Sequence, residues 1–111
     1  MSTLTTHVLD TMNGCPAAGM ALSVTGPQGL VAQGVTNEDG RCPDLIAGDL
    51  PQGRYRIAFE VAAYFRAKGI ALPDPPFLDV VAIDFGIAEN GGHYHVPLLV
   101  APFAYSTYRG S

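Results

Sequence analysis

From Arg54 to Val61 apolar and polar positions alternate strictly. Tyr55, Ile57, Phe59 and Val61 fall on one face, and Arg54, Arg56, Ala58 and Glu60 on the other. A period of two marks a half-buried strand, because successive side chains of a strand point to opposite faces. Leu4 to Asp10 (LTTHVLD) is β-branched and reads as a strand broken by Met12-Asn13-Gly14-Cys15-Pro16. Met20 to Thr25 is closed by Gly26-Pro27, and Gly29 to Thr36 runs into the turn cluster Asn37-Glu38-Asp39-Gly40. Asp44 to Ala47 reads as a further short strand. Phe77 to Phe85, His93 to Val100 and Phe103 to Tyr108 complete the set, with Asn90-Gly91-Gly92 and Ala101-Pro102 as turns. Only Ala62 to Lys68 (AAYFRAK) is built of helix formers, and it stops at Gly69. Seven or eight short strands with one short helix predict an all-β sandwich.

Composition sharpens this picture. The 111 residues predict one domain, residues 1–111. Nearly half the chain is apolar (48%) and only 14% is charged, so apolar surface is left for a partner copy and an oligomer is expected. Thirteen glycines and nine prolines suit tight turns between short strands. The net charge of −4, with one lysine and five arginines, offers no basic stripe, which argues against nucleic acid. No apolar run is long enough to span a membrane, and the first residues carry no signal-like pattern, so a cytoplasmic location is expected. The ending Arg-Gly-Ser is not the usual peroxisomal tripeptide. Cys15 and Cys42 sit apart in turn-like surroundings and read as two unpaired thiols.

The candidate chemistry lies near the C-terminus. His93 and His95 share one face of their strand, continued by Pro97 and Leu99, while Tyr94, Val96, Leu98 and Val100 form the core face. Ser106 and Tyr108 share a face of the final strand. An outer surface holding His95, Pro97, Leu99, Ser106 and Tyr108 is unusually apolar for plain exposure. It suits a partner subunit, a pocket, or a pocket between subunits. Tyr108-Arg109-Gly110-Ser111 follow directly on this apolar run and are expected to be pinned, which would set an arginine beside a carboxylate. His-x-His is also a metal-ligand spacing, but no HExxH, aspartate-rich loop or cysteine pair adds further ligands, so a metal-free site is favoured. No Gly-x-Ser-x-Gly elbow supports a serine triad. Alone, each histidine reads as a half-exposed strand residue and Arg41 as a solvated loop arginine. Arg54, Arg56 and Arg66 receive no role.

Three segments taken together resemble one family. They are Leu4-Thr5-Thr6-His7-Val8-Leu9-Asp10-Thr11 with Gly14 and Pro16-Ala17; Asp39-Gly40-Arg41; and His93-Tyr94-His95-Val96-Pro97-Leu98-Leu99 through Tyr105-Ser106-Thr107-Tyr108-Arg109-Gly110-Ser111. Over essentially its whole length the chain resembles the 5-hydroxyisourate hydrolases, the enzyme branch of the transthyretin-like family. The resemblance implies a transthyretin-like (prealbumin-like) β-sandwich of two four-stranded sheets with one short helix. It also implies a homotetramer, a dimer of dimers whose central channel is lined by the outer faces of the first, seventh and eighth strands. The implied reaction, part of urate (purine) degradation, opens 5-hydroxyisourate at a ring amide with water, giving 2-oxo-4-hydroxy-4-carboxy-5-ureidoimidazoline, without metal or cofactor.

The resemblance assigns catalysis to His7, Arg41, His95 and Ser111 and substrate binding to Tyr108, Arg109 and Gly110; Leu99 and Ser106, placed on the same outer face by alternation, join the binding set. These residue types suit amide hydrolysis. Histidine, with an ordinary pKa of about 6.5, can take or give a proton near neutrality. A guanidinium can hold a flat imide-rich ring or stabilise an oxyanion. Two departures, Pro75-Pro76-Phe77 and Val100-Ala101, lie outside the implied site. Three rivals stand beside this reading: a transthyretin-like small-ligand binding protein without catalysis, a metal-dependent amidohydrolase using His7, His93 and His95, and an inactive sandwich.

Overall fold

A computed structural model describes residues 2–111. Eight strands form two four-stranded sheets with one helix. They are β1 (Ser2–Asp10), β2 (Cys15–Pro16), β3 (Ala21–Gly26), β4 (Gly29–Val35), β5 (Gly53–Glu60), β6 (Val80–Ile87), β7 (Gly92–Ala101) and β8 (Ala104–Thr107), with α1 (Val61–Ala67) after β5. The first sheet runs β2-β1-β7-β8 and the second β4-β3-β5-β6.

The alternation in β5 is realised as expected: Tyr55, Ile57 and Phe59 are buried between the sheets, and Arg54, Arg56 and Glu60 are exposed. Val8, Met20, Val24, Phe59, Phe65, Leu98 and Val100 are fully enclosed, each large apolar side chain contributing about 1.5–3 kcal/mol by leaving water. The helix begins one residue earlier than predicted, at Val61. Its first amides, those of Val61 and Ala62, donate to the carbonyl of Asp79, which meets their need for acceptors. Tyr64 of the helix donates to the buried carboxylate of Asp10 at 2.7 Å and so ties the end of β1 to α1. Burial pushes the Asp10 carboxyl up, but hydrogen bonds from Asn13, Tyr64 and the Met12 amide outweigh it and hold the pKa below the ordinary range.

Three sequence expectations shift. Asp44–Ala47 is not a strand; the Leu45 amide donates to the carbonyl of Cys42, closing a turn. Cys15–Pro16, read only as a break, pairs with Leu9 and Asp10 as the short edge strand β2. The strand placed at Phe77–Phe85 begins at Val80, because Phe77 to Asp79 make the bend whose carbonyl receives the helix amides.

Sequence neighbours pair antiparallel in the second sheet, but β1 pairs parallel with β7. Ser2 to Asp10 lie in register with Gly92 to Val100. This long-range pairing positions everything that follows.

Candidate active site

In β1, Ser2, Leu4, Thr6, Val8 and Asp10 point inward, which leaves Thr3, Thr5, His7 and Leu9 on the outer face. The parallel register puts Thr3 opposite His93, Thr5 opposite His95 and His7 opposite Pro97. Rungs that match in a sheet share a face. Two threonines and three histidines therefore crowd one end of the outer surface. Pro97, predicted on that same face, is buried there.

Two further segments cross this face. The turn after β4 is shaped by Asn37, whose Oδ1 accepts from the amides of Asp39 and Arg41. Gly40 follows with φ +75°, and its carbonyl accepts from the Val8 amide at 2.8 Å. A side chain at Gly40 would collide with the Val8 carbonyl, so only glycine allows so close an approach. Arg41 is thereby bridged to His7. At the other end, the Gly110 amide donates to the His95 carbonyl at 2.8 Å, and Gly110 lies flat against the His95 ring. The pinning expected of the final residues is thus seen at Gly110.

The hydrogen bonds among these groups form a chain. Thr5 Oγ1 lies 2.8 Å from His95 Nδ1 and 3.0 Å from His93 Nε2, while Thr3 Oγ1 lies 2.7 Å from His93 Nδ1. The two imidazole rings lie nearly parallel, 12° apart, with centroids separated by 6.5 Å. Burial pushes the His95 pKa below the ordinary histidine value, and the charge of Arg41, with any positive charge on His93 or His7, pushes the same way against a hydrogen bond to Thr5. His95 therefore stays neutral near pH 7, with Nδ1 engaged and Nε2 left for a ligand. At the strand rise of about 3.3 Å and strand spacing of about 4.8 Å, the His7 and His95 Cα atoms lie roughly 8 Å apart. A flat heterocycle can sit between two such rings.

The structure thus brings His7, Arg41, His95 and Gly110 together. Leu99 and Ser106 share a rung, but four residues along β7 from His95, on the order of 13 Å away. Tyr108 departs from the predicted outer face. Thr107 ends β8 by donating to the Pro97 carbonyl, and Tyr108 and Arg109 then line a cavity of about 360 Å³ with Ile83, Phe85, Tyr94 and Val96. Arg109 packs over the Tyr94 ring, 4.0 Å from its centroid, and donates to the His93 carbonyl. It braces the histidine strand from the side of Tyr94. Ser111, next to Gly110, is exposed. Thr3 and Thr5 receive no role in the sequence, where they look like ordinary β-branched strand residues. Only the β1–β7 register sets them against His93 and His95.

Among the described residues, no group of three or more histidine, cysteine or acidic side chains is arranged to hold a metal ion. Both ring nitrogens of His93, a ligand in the metal alternative, are already taken by hydroxyls. Cys15 and Cys42 are unpaired. No helix among the described residues is long and apolar enough to cross a membrane.

The family described as "HIUase/Transthyretin family" matches residues 4–110. A 5-hydroxyisourate hydrolase of Pseudomonas aeruginosa is 49% identical, over all of this chain and 93% of its own length. The solved 5-hydroxyisourate hydrolase of Klebsiella pneumoniae superposes with a TM-score of 0.87 at 41% identity, covering 99% of this chain and 100% of that one. Sea bream transthyretin, solved in complex with thyroxine, superposes with a TM-score of 0.83 at 34% identity, covering 96% of this chain and 93% of that one.

Proposed function

This chain belongs to the HIUase/transthyretin family, and from that premise we propose that it hydrolyses 5-hydroxyisourate in urate degradation. The observation that carries the reading is the meeting of His7, Arg41 and His95 on one sheet face, through the His7–Arg41 bridge and the parallel register of β1 with β7. Fold alone would not separate a hydrolase from a carrier. A neutral histidine with a free nitrogen, beside an arginine and a second histidine, is what water attack on a ring amide requires.

Arg41 holds the imide-rich ring and stabilises the oxyanion as water adds to the carbonyl. His95, kept neutral by burial and by its cationic neighbours, takes the proton of the attacking water at Nε2. His7 serves the opposite side of the ring and shares the transfer to the leaving nitrogen. Proton transfer of this kind is worth about 10²–10⁴ in rate. Gly110 fixes the His95 ring, Arg109 and Tyr108 brace its strand from the side of Tyr94, and Ser111 closes that end of the site. Leu99 and Ser106 line the same face further along.

The reading includes a homotetramer, a dimer of dimers, with this face turned into a channel and the chain acting in the cytoplasm. Apolar side chains exposed on the sheet edges support the assembly: Leu30, Val31 and Val35 on β4, Val80 on β6 and Tyr105 on β8. Sedimentation should show four chains per particle.

The test is the ultraviolet decay of 5-hydroxyisourate made in the cuvette by urate oxidase. The protein should speed the decay, and a variant lacking Arg109 to Ser111 should not. Unchanged decay with folded, full-length protein would overturn the hydrolase reading and move the face to ligand binding.

A further inference from the structure

The substrate face uses His7, Arg41 and His95, yet the hydrogen-bond chain beside them extends two threonines and one histidine further. Thr5 Oγ1 is its pivot, within hydrogen-bond distance of His95 Nδ1 and His93 Nε2 together. A hydroxyl has one hydrogen to give. It can accept from one ring while it donates to the other. Thr3 Oγ1 holds the far nitrogen of His93 in the same way.

With both rings neutral and the Thr5 hydrogen kept within the chain, two arrangements satisfy every bond. In the first, His95 Nδ1–H donates to Thr5, Thr5 donates to His93 Nε2, and His93 Nδ1–H donates to Thr3. His95 Nε2 then carries a lone pair and is a base. In the second, Thr3 donates to His93 Nδ1, His93 Nε2–H donates to Thr5, and Thr5 donates to His95 Nδ1. His95 Nε2 then carries a hydrogen and is an acid. Which nitrogen of an imidazole is protonated is set by the bond that the other one makes.

We propose that Thr5 is a positioning residue that couples His93 to His95, so that the two rings change tautomer together and His95 Nε2 alternates between base and acid. This deepens the hydrolase reading and rests on it. The proton count closes. Water gives one proton to His95 Nε2 as its oxygen bonds to the carbonyl carbon. The Nδ1 hydrogen of His95 passes to Thr5, that of Thr5 to His93 Nε2, and that of His93 Nδ1 to Thr3. Thr3, which is exposed, releases its own hydrogen to solvent. His95 is then neutral and bears a hydrogen at Nε2 for the leaving nitrogen, and the chain resets by taking up one proton at Thr3.

The test pairs Thr5→Val, which keeps shape and loses the hydroxyl, with Thr5→Ser, which keeps the hydroxyl. Thr5→Val should lower kcat by about 10–100-fold, the scale for losing a group that orients a functional histidine, and leave KM within about threefold. Thr5→Ser should stay within about threefold of the parent. An unchanged kcat in Thr5→Val, or an equal loss in Thr5→Ser, would overturn the coupling. Imidazole ¹⁵N shifts read the same point without turnover. In the parent, His93 and His95 should be both Nδ1–H or both Nε2–H, and Thr5→Val should break the match. Unmatched tautomers in the parent would sink the coupling even if the enzyme is active. Matched tautomers in an inactive parent would sink the hydrolase reading and leave the coupling standing.

Discussion

The outer faces of the two sheets obey one rule of alternation and do opposite things with their polar groups. On β5 and β6, Arg56 stands directly opposite Asp84 and the two close a bidentate ion pair at 2.7 and 3.1 Å. Each charge of that pair answers the other, in the open. On β1 and β7 no carboxylate answers the imidazoles. They are held by neutral hydroxyls, and the nearby charge of Arg41 is of the same sign as a protonated His95. A pair of matched opposite charges is complete. A face with like-signed groups held by neutral partners has a place for an anionic or electron-rich ligand.

The sharpest way to break this contrast is at His95. His95→Asn should lower kcat by about 10³-fold while the particle size stays that of the parent, read by steady-state decay and sedimentation. Retained turnover would remove His95 from the mechanism.

Next comes Gly110→Ala. Its new Cβ would run into the His95 ring, and a displacement on the order of 1 Å can cost about 10²-fold in rate. Circular dichroism should be unchanged. Parent-like activity would mean that the ring position does not matter.

A subtler effect concerns pH. Burial and positive neighbours lower the His95 pKa, so its basic form should persist below the ordinary histidine value and the acid limb of kcat/KM should lie there. Arg41→Gln removes one positive charge, which raises the pKa and should move that limb to higher pH, whatever it does to binding. A limb that stays in place would separate Arg41 from His95 electrostatically.

The smallest effect is expected on the other sheet. Arg56→Ala should change neither turnover nor the urea midpoint measurably, because its ion pair is fully solvated. A fall in activity would show that the second face is not inert.

What could be read in advance divides by distance along the chain. Local signals did well. The period of two in β5, the helix formers before Gly69 and the Asn37–Gly40 turn all name their own structure, because the forces involved act between near neighbours. The same holds for the His-x-His face of β7. The pairing of β1 with β7 has no such local signature. Its register depends on a buried face built from both ends of the chain, so Thr5 could not be matched to His95 from spacing. Arg41 looked like a solvated arginine because its role comes from the approach of Gly40 to Val8. Arg109 shows the reverse. Its presence in a telling C-terminal segment suggested substrate contact, but the ring of Tyr94 offered its side chain a nearer partner. Tyr108 left the predicted face because strand pairing ends at Thr107.

Thr5 and His95 are separated by 90 positions, and their contact is what completes the site. That places the chemistry at the far end of contact order, where closure of a long loop precedes any reward. A chain still emerging from the ribosome can form the β3–β4 hairpin early, but it owns no working imidazole cluster until residue 110 is free to lie against His95. Activity here is therefore a sensitive report that β1, β7 and the segment at Gly110 have found each other.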